Sequence, residues 1–218
     1  MIHNNDSESR LTMIETITIN DHVVTFDPHH HQYTVDGVNV VSVTQIVDAL
    51  MPKMYQRVDP EILRIAALRG TELHDMIERF ETKGEKTYHV EMQSYLSLKA
   101  QHQFQVIDNE KIVLIYDGGQ VVAAGRFDMI VKSPYIKGLG IADVKRMAHL
   151  NEERLKLQLN LYKLGYEQTY KKKIHYLKCI HIRYQHHQYV DVMVDANYVK
   201  TMLRRYLSLN PIHHHPWH

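Results

Sequence analysis

Asp143-Val144-Lys145 sets a carboxylate and an ammonium two residues apart in an apolar run, and Asp128 precedes them in Gly125-Arg126-Phe127-Asp128. Side chains two apart on a strand share a face. One of the pair can therefore ligate a cation while the other reaches a water or a phosphate. A hairpin between the two runs brings Asp128 beside Asp143, and Gly125 lets a backbone or a ligand approach closely. Clustered carboxylates hold Mg²⁺ or Mn²⁺. Hydrolysis of a phosphodiester needs what such an ion supplies, an activated water near neutral pH and a sink for charge at phosphorus. A lone Asp-x-Lys also occurs as a surface ion pair, so the other residues around it matter.

Three further features join the set. Gly70-Thr71-Glu72-Leu73-His74 puts a glycine and a histidine at i,i+4 on one helix face, and a neutral His74 imidazole can be a further ligand. Gln158 and Tyr162 recur at i,i+4 after Lys145; both can donate to phosphate, or the ring can stack on a base. Glu110 stands just before the first expected core strand, at 111–116, where an acid can support the metal or pair with Lys145. Each has a plainer reading: a surface histidine among 17, a polar position beside Leu155, Leu159 and Leu161, a solvated strand-edge acid.

The elements that must position these residues follow from periodicity. From Ile14 to Val43, short alternating runs are broken by Asp21-His22 and Asp36-Gly37, the latter a hairpin signal. Ser42 or Thr44 caps a helix to about Leu50. Asp59-Pro60-Glu61 opens a second helix ending at Gly84, with Ile62, Ile65, Ala66, Leu73, Ile77 and Phe80 expected to face the core. A third covers 90–104, with Met92, Tyr95, Leu96 and Phe104 on its apolar side. Strands are expected at 111–116, 121–131 and 139–144, then a helix from Asn151 to Tyr170, strands at 174–184 and 189–194, and a helix from Asp195 to Leu209. This order predicts one α/β domain over 14–209: a β-ribbon and entry helix over 14–58, then a core over 59–209 with a central mixed sheet flanked by helices. Residues 1–13 read as a loose segment and 210–218 as a His-rich tail.

The ordered set Gly70-x-x-x-His74, Glu110, Gly125-x-x-Asp128, Asp143-x-Lys145 and Gln158-x-x-x-Tyr162 resembles the PD-(D/E)XK nuclease superfamily, most closely its RecB-type and phage exonuclease branch. The stretch from His31 through Thr44 is similar to the entry ribbon of phage-type members, so the likeness spans about residues 24–195. It implies a restriction-endonuclease-like core. It also implies that His74, Asp128, Asp143 and the Val144 carbonyl hold Mg²⁺ or Mn²⁺, that Lys145 orients or activates the water and offsets charge, and that Gln158 and Tyr162 position DNA. Members with an iron–sulfur cluster use four cysteines; the lone Cys179 sets this chain apart from them and rules out an internal disulfide.

Bulk properties leave this reading open. With 218 residues, 44% hydrophobic and 23% charged, the composition is that of an ordinary globular protein. No run reaches the ~20 apolar residues of a membrane span, and the N-terminus does not read as a secretory signal. A reducing cytoplasm, a host's if the chain is phage-encoded, is the expected setting. Net charge is +1, but residues 145–183 hold ten Lys/Arg against three Asp/Glu, either one phosphate-facing patch or a solvated face. Lys171-Lys172-Lys173 reads equally as a phosphate contact or a solvated turn. Tyr162, Tyr166 and Tyr170 read as core margin. His29-His30-His31 and His213-His214-His215 read as stray-metal binders at most. The expected partner is DNA, single-stranded or at duplex ends, with recombination or replication proteins as possible associates and oligomeric state open. Three functions stay in view: an exonuclease, an endonuclease of the same fold, and a catalytically silent binder.

Overall fold

The computed structural model of the protein describes residues 14–52, 55 and 57–210; the expected loose N-terminal segment and His-rich tail lie outside the described residues. The chain opens with four short antiparallel strands, β1 (Glu15–Ile19), β2 (His22–Asp27), β3 (Gln32–Val35) and β4 (Val38–Ser42). Asp36 and Gly37 both take positive φ, the mirror-image turn that matches strand twist. Asn20 and Asp21 do the same, one residue earlier than the Asp21-His22 break suggests.

Ser42 then caps α1 (Val43–Leu50) through a reciprocal capping box with Gln45. Asp59 and Pro60 start α2 (Pro60–Lys83), which Gly84 ends in the left-handed region. After α3 (Val90–His102) come β5 (Gln105–Asp117), β6 (Gln120–Lys132) and β7 (Leu139–Lys145). Asn151 caps α4 (Glu152–Tyr170), followed by β8 (Ile174–Arg183), β9 (His186–Val192) and α5 (Ala196–Leu209), capped by Asp195.

The strands form one mixed sheet in the order β1-β2-β3-β4-β6-β7-β8-β9, with β5 paired to β6 as well. The architecture is therefore mixed α/β with an N-terminal antiparallel ribbon. One edge of β6 pairs with β5 along its length. The other meets β4 at Ala123 and Ala124, then β7 from Met129 onward. Between these pairings, residues 125–128 of β6 face a fork in the sheet. Parallel pairing of β7 with β8 forces the crossover that α4 provides.

Three cores hold the sheet. α1, α4 and α5 cover one face through residues such as Ile46, Leu159, Leu161 and Leu203. α2 and α3 cover the other through Leu73, Ile77, Met92 and Tyr95. The ribbon seals its own end with Phe26 and Tyr33 against Ile112 and Leu114.

Two expectations fail. Of the apolar positions on α2, only Leu73 and Ile77 are buried; Ile62 is 60% and Ile65 39% exposed, because the first half of the helix runs past the sheet. Strand β5 begins at Gln105, so Glu110 lies within a strand rather than ahead of one. The polar stretch Asp108-Asn109-Glu110 hides the strand from a reading based on apolar alternation.

Candidate active site

The fork in the sheet gathers the charged residues. The β6–β7 ladder ends at the Met129–Ala142 pair. Beyond it the strands part, and the Asp128 carboxylate replaces a backbone carbonyl: Val144 N–H donates to Asp128 Oδ2 at 2.6 Å. Asp143 and Lys145 follow on β7, sharing a face as alternate residues must. Lys145 Nζ lies 2.6 Å from Asp143 Oδ2, both side chains largely withdrawn from solvent. That contact is poorly directed for a hydrogen bond, and Asp143 Oδ2 has no hydrogen-bond partner. From the other face α2 delivers His74, whose Nδ1 is 3.2 Å from Asp128 Oδ1. Leu73 and Ile77, fully packed on either side of His74, fix the helix there.

Two carboxylates in one low-dielectric fork cannot ionise alike. Burial opposes charge on Asp128, but His74, Lys145 and the Val144 N–H outweigh it and hold the carboxyl below its ordinary value. Burial raises Asp143, and the charge on Asp128 raises it further against the pull of Lys145. Burial would lower His74 and Lys145, yet the two aspartates reverse this: Lys145 is raised, and His74 rises to about 9. The fork is thus two acids and two bases locked as neighbouring ion pairs.

Glu110 falls between the Asn109–Met129 and Lys111–Phe127 pairs, across from Asp128. Its φ of 52° is a left-handed conformation that side-chain-bearing residues seldom adopt in a strand. Burial pushes its carboxyl up to about 7, with Arg126 opposing and Asp128 adding. Its direct partner is Arg126, 2.7 Å away, not Lys145. Arg126 also stacks on Phe26 and reaches Glu15, which ties the fork to the ribbon. A small cavity of about 10 Å³ lies between His74, Glu110, Asp128 and Val144, room for roughly one water-sized species.

On the α4 side, Gln158 Nε2 lies 3.4 Å from the Tyr162 hydroxyl. Burial raises Tyr162, as do the charges of Asp143 and Asp128, while Gln158 and Thr44 hydrogen bonds work the other way. The Tyr162 ring is buried against Phe127, so it is closed to base stacking and only the hydroxyl faces the charged fork. Gly125 explains this closeness: a Cβ there would meet Val43 at 2.7 Å and Tyr162 at 2.9 Å. A second, larger cleft lies beyond Lys145 and Gln158.

Lys171, Lys172 and Lys173 are not brought to the fork. They follow the last turn of α4, 13 residues past Gln158 in the case of Lys171, or about 20 Å along a helix rising ~1.5 Å per residue. The basic stretch also fails to make one face. Arg146, Arg154, Lys156, Lys163 and Lys178 pair with Glu91, Asp48, Asp195, Glu167 and Asp191, acids drawn mostly from outside that stretch. Tyr166 and Tyr170 pack on each other at the core margin, as expected.

Sequence reasoning missed the lock behind Lys145. Arg146 Nε donates to both Glu91 oxygens at 2.9 Å, and Glu91 accepts the Tyr184 N–H at 2.8 Å. His181 Nε2 meets the Met147 carbonyl at 2.8 Å. These contacts pin the turn that follows β7. Glu91 resembles any acid in a helix's first turn, so no signal in the sequence separates it.

The donor set suits a hard divalent cation in its chemistry: largely buried carboxylate oxygens with an imidazole alongside. Among the described residues, however, no three His, Cys, Asp or Glu side chains converge on one point. Taking up a metal requires the His74–Asp128 and Lys145–Asp143 pairs to open.

Comparison with known protein families returns no match, and no curated protein is similar in sequence. Among solved structures, the crystal structure of SSO0001 matches 78% of this chain and 76% of its own, at 16% identity and a TM-score of 0.44, too loose a likeness to argue from. No helix among the described residues is long and apolar enough to cross a membrane.

Proposed function

We propose that the chain is a divalent-metal-dependent deoxyribonuclease of the PD-(D/E)XK type, an exonuclease of the RecB-type branch that acts in DNA recombination, repair or end processing. The observation that carries this reading is the joining of Asp128, Asp143, Lys145 and His74 in one fork of the sheet. Four ionisable groups held together away from solvent are costly to a fold and are characteristic of working sites.

Asp128, Asp143, His74 and the Val144 carbonyl would hold Mg²⁺ or Mn²⁺. When bound, the ion supplies a more acidic water and neutralises charge on the phosphate. The chain's own groups do the rest. Lys145 steadies the attacking water and offsets negative charge at phosphorus. Gln158 and the Tyr162 hydroxyl orient the scissile phosphate through hydrogen bonds. Glu110 supports the site from across β6. Attack would run in line: as the water oxygen bonds to phosphorus its proton passes to solvent, the P–O3′ bond breaks, and the 3′ oxygen leaves as a hydroxyl after taking up a proton.

Digestion of end-labelled linear and closed circular DNA with Mg²⁺, Mn²⁺ or EDTA tests this. Metal-dependent loss of linear DNA with circles intact is the expected result. Cleavage of circles reassigns the site to an endonuclease. DNA binding without cleavage under any metal leaves a silent binder.

A further inference from the structure

A cleft of about 190 Å³ opens on the far side of Lys145 from the His74 cavity, between α1, the turn after β7 and the first turns of α4. An apolar-lined cavity of about 150 Å³ is known to hold a benzene ring, so the volume of this cleft is enough for a planar six-membered ring. Val47, Met147, Leu150 and Leu155 supply apolar walls. Asn151 and Gln158 supply carboxamides, which can donate or accept and so pair with the polar edge of more than one base. Lys145 and Arg154 also line the cleft, each already paired with a carboxylate, Asp143 and Asp48, so an incoming phosphate competes with an acid for either cation.

Lys145 lines this cleft and also lies 2.6 Å from Asp143. A phosphate held at Lys145 therefore carries its own nucleoside to the cleft mouth. We propose that the cleft is a nucleobase subsite, taking the base next to the scissile phosphate after it has left its stack. This rests on the nuclease reading above and deepens it: the strand must be unpaired at the point of cleavage. An aliphatic and thioether lining with carboxamides among it favours acceptance of any base over selection of one.

An abasic scan tests the subsite. Single-stranded oligonucleotides carry one abasic residue at successive positions about the cleavage point, and cleavage is followed in Mn²⁺. Giving up the burial of one ring against apolar walls is worth ~1.5–3 kcal/mol, or roughly 10- to 150-fold. Cleavage should fall by that factor when the gap adjoins the scissile phosphate and change less than about 2-fold when it lies three or more nucleotides away. Leu150→Trp narrows the cleft without touching the fork. It should slow cleavage of intact strands and erase the abasic effect. Independently of cleavage, 2-aminopurine placed at the same position should brighten when the unmodified protein binds the strand in EDTA.

Active cleavage with a flat scan, or unchanged 2-aminopurine emission on binding, overturns the subsite and leaves the nuclease standing. Faster cleavage of a fully paired duplex than of a single strand does the same. No metal-dependent cleavage of any oligonucleotide removes the nuclease reading and the subsite with it.

Discussion

The two ends of α4 carry opposite kinds of charge. At its N-terminal end, the helix faces a fork where Asp143, Lys145 and Asp128 are 4%, 22% and 16% exposed and held against one another. At its C-terminal end, Lys171, Lys172 and Lys173 lie in an exposed turn leading into β8. The second group is the louder in the sequence, three lysines in a row; the first is split between two strands, β6 and β7. Solvated charge costs a fold almost nothing, while buried charge is retained against a desolvation penalty. The contrast teaches that the expense of a charge, not its density along the chain, marks the end where chemistry is possible.

The strongest way to break the contrast is at Asp143. Asp143→Asn removes a metal-holding oxygen and should drop cleavage in Mn²⁺ to background, a loss of several kcal/mol or roughly 10³-fold and more. Circular dichroism should show the native fold, since asparagine is isosteric. Retained cleavage in a folded variant would falsify the assignment of the fork as the active site. Lys145→Ala should follow with ~3–4 kcal/mol, about 10²- to 10³-fold. Its effect should sit in kcat, because the ammonium acts on charge that develops during the reaction. An effect confined to KM would instead make Lys145 a binding residue.

A smaller effect should appear in stability. Glu110 ionises at about 7 in the folded protein, against an ordinary 4.5, because burial disfavours its charge. Between those values the unfolded chain has released the proton that the folded chain keeps. Stability therefore falls as pH rises from 4.5 to 7 and levels off above it. The side chain is 29% exposed, which tempers the penalty to ~1–2 kcal/mol. In EDTA, Glu110→Gln should gain thermal stability over the parent across this window and hold a constant margin beyond it. Melting curves that stay parallel from pH 4.5 to 7.5 count against a strained, buried Glu110.

Much of this arrangement is legible without coordinates. Caps at Ser42, Asp59, Asn151 and Asp195 place four helices, because a side-chain oxygen preceding an apolar period has one physical use. The hairpin that joins Asp128 to Asp143 follows from two alternating runs and a Ser-Pro break. What stays hidden is tertiary. The exposed first half of α2 carries a good core pattern, and nothing local reveals that the sheet ends before it. Glu110 pairs with Arg126 only because β5 continues through a polar stretch. Glu91 finds Arg146 across 55 residues, and no spacing rule foresees that pair.

The smallest effect sharpens the contrast most, because it asks the basic turn to do nothing. If Lys171, Lys172 and Lys173 touched the same strand as the fork, each would release about one counterion on binding, and their joint replacement by alanine would cut the salt slope of log affinity by roughly two to three. The fork is ~20 Å away along α4. The triple variant should therefore keep the parent's salt slope and cleave within about 3-fold of it at moderate ionic strength. A lowered slope with unchanged kcat would show that the strand runs the length of α4. The basic turn would then be a second contact on the same substrate, and the division between costly and solvated charge would describe two steps of one binding event.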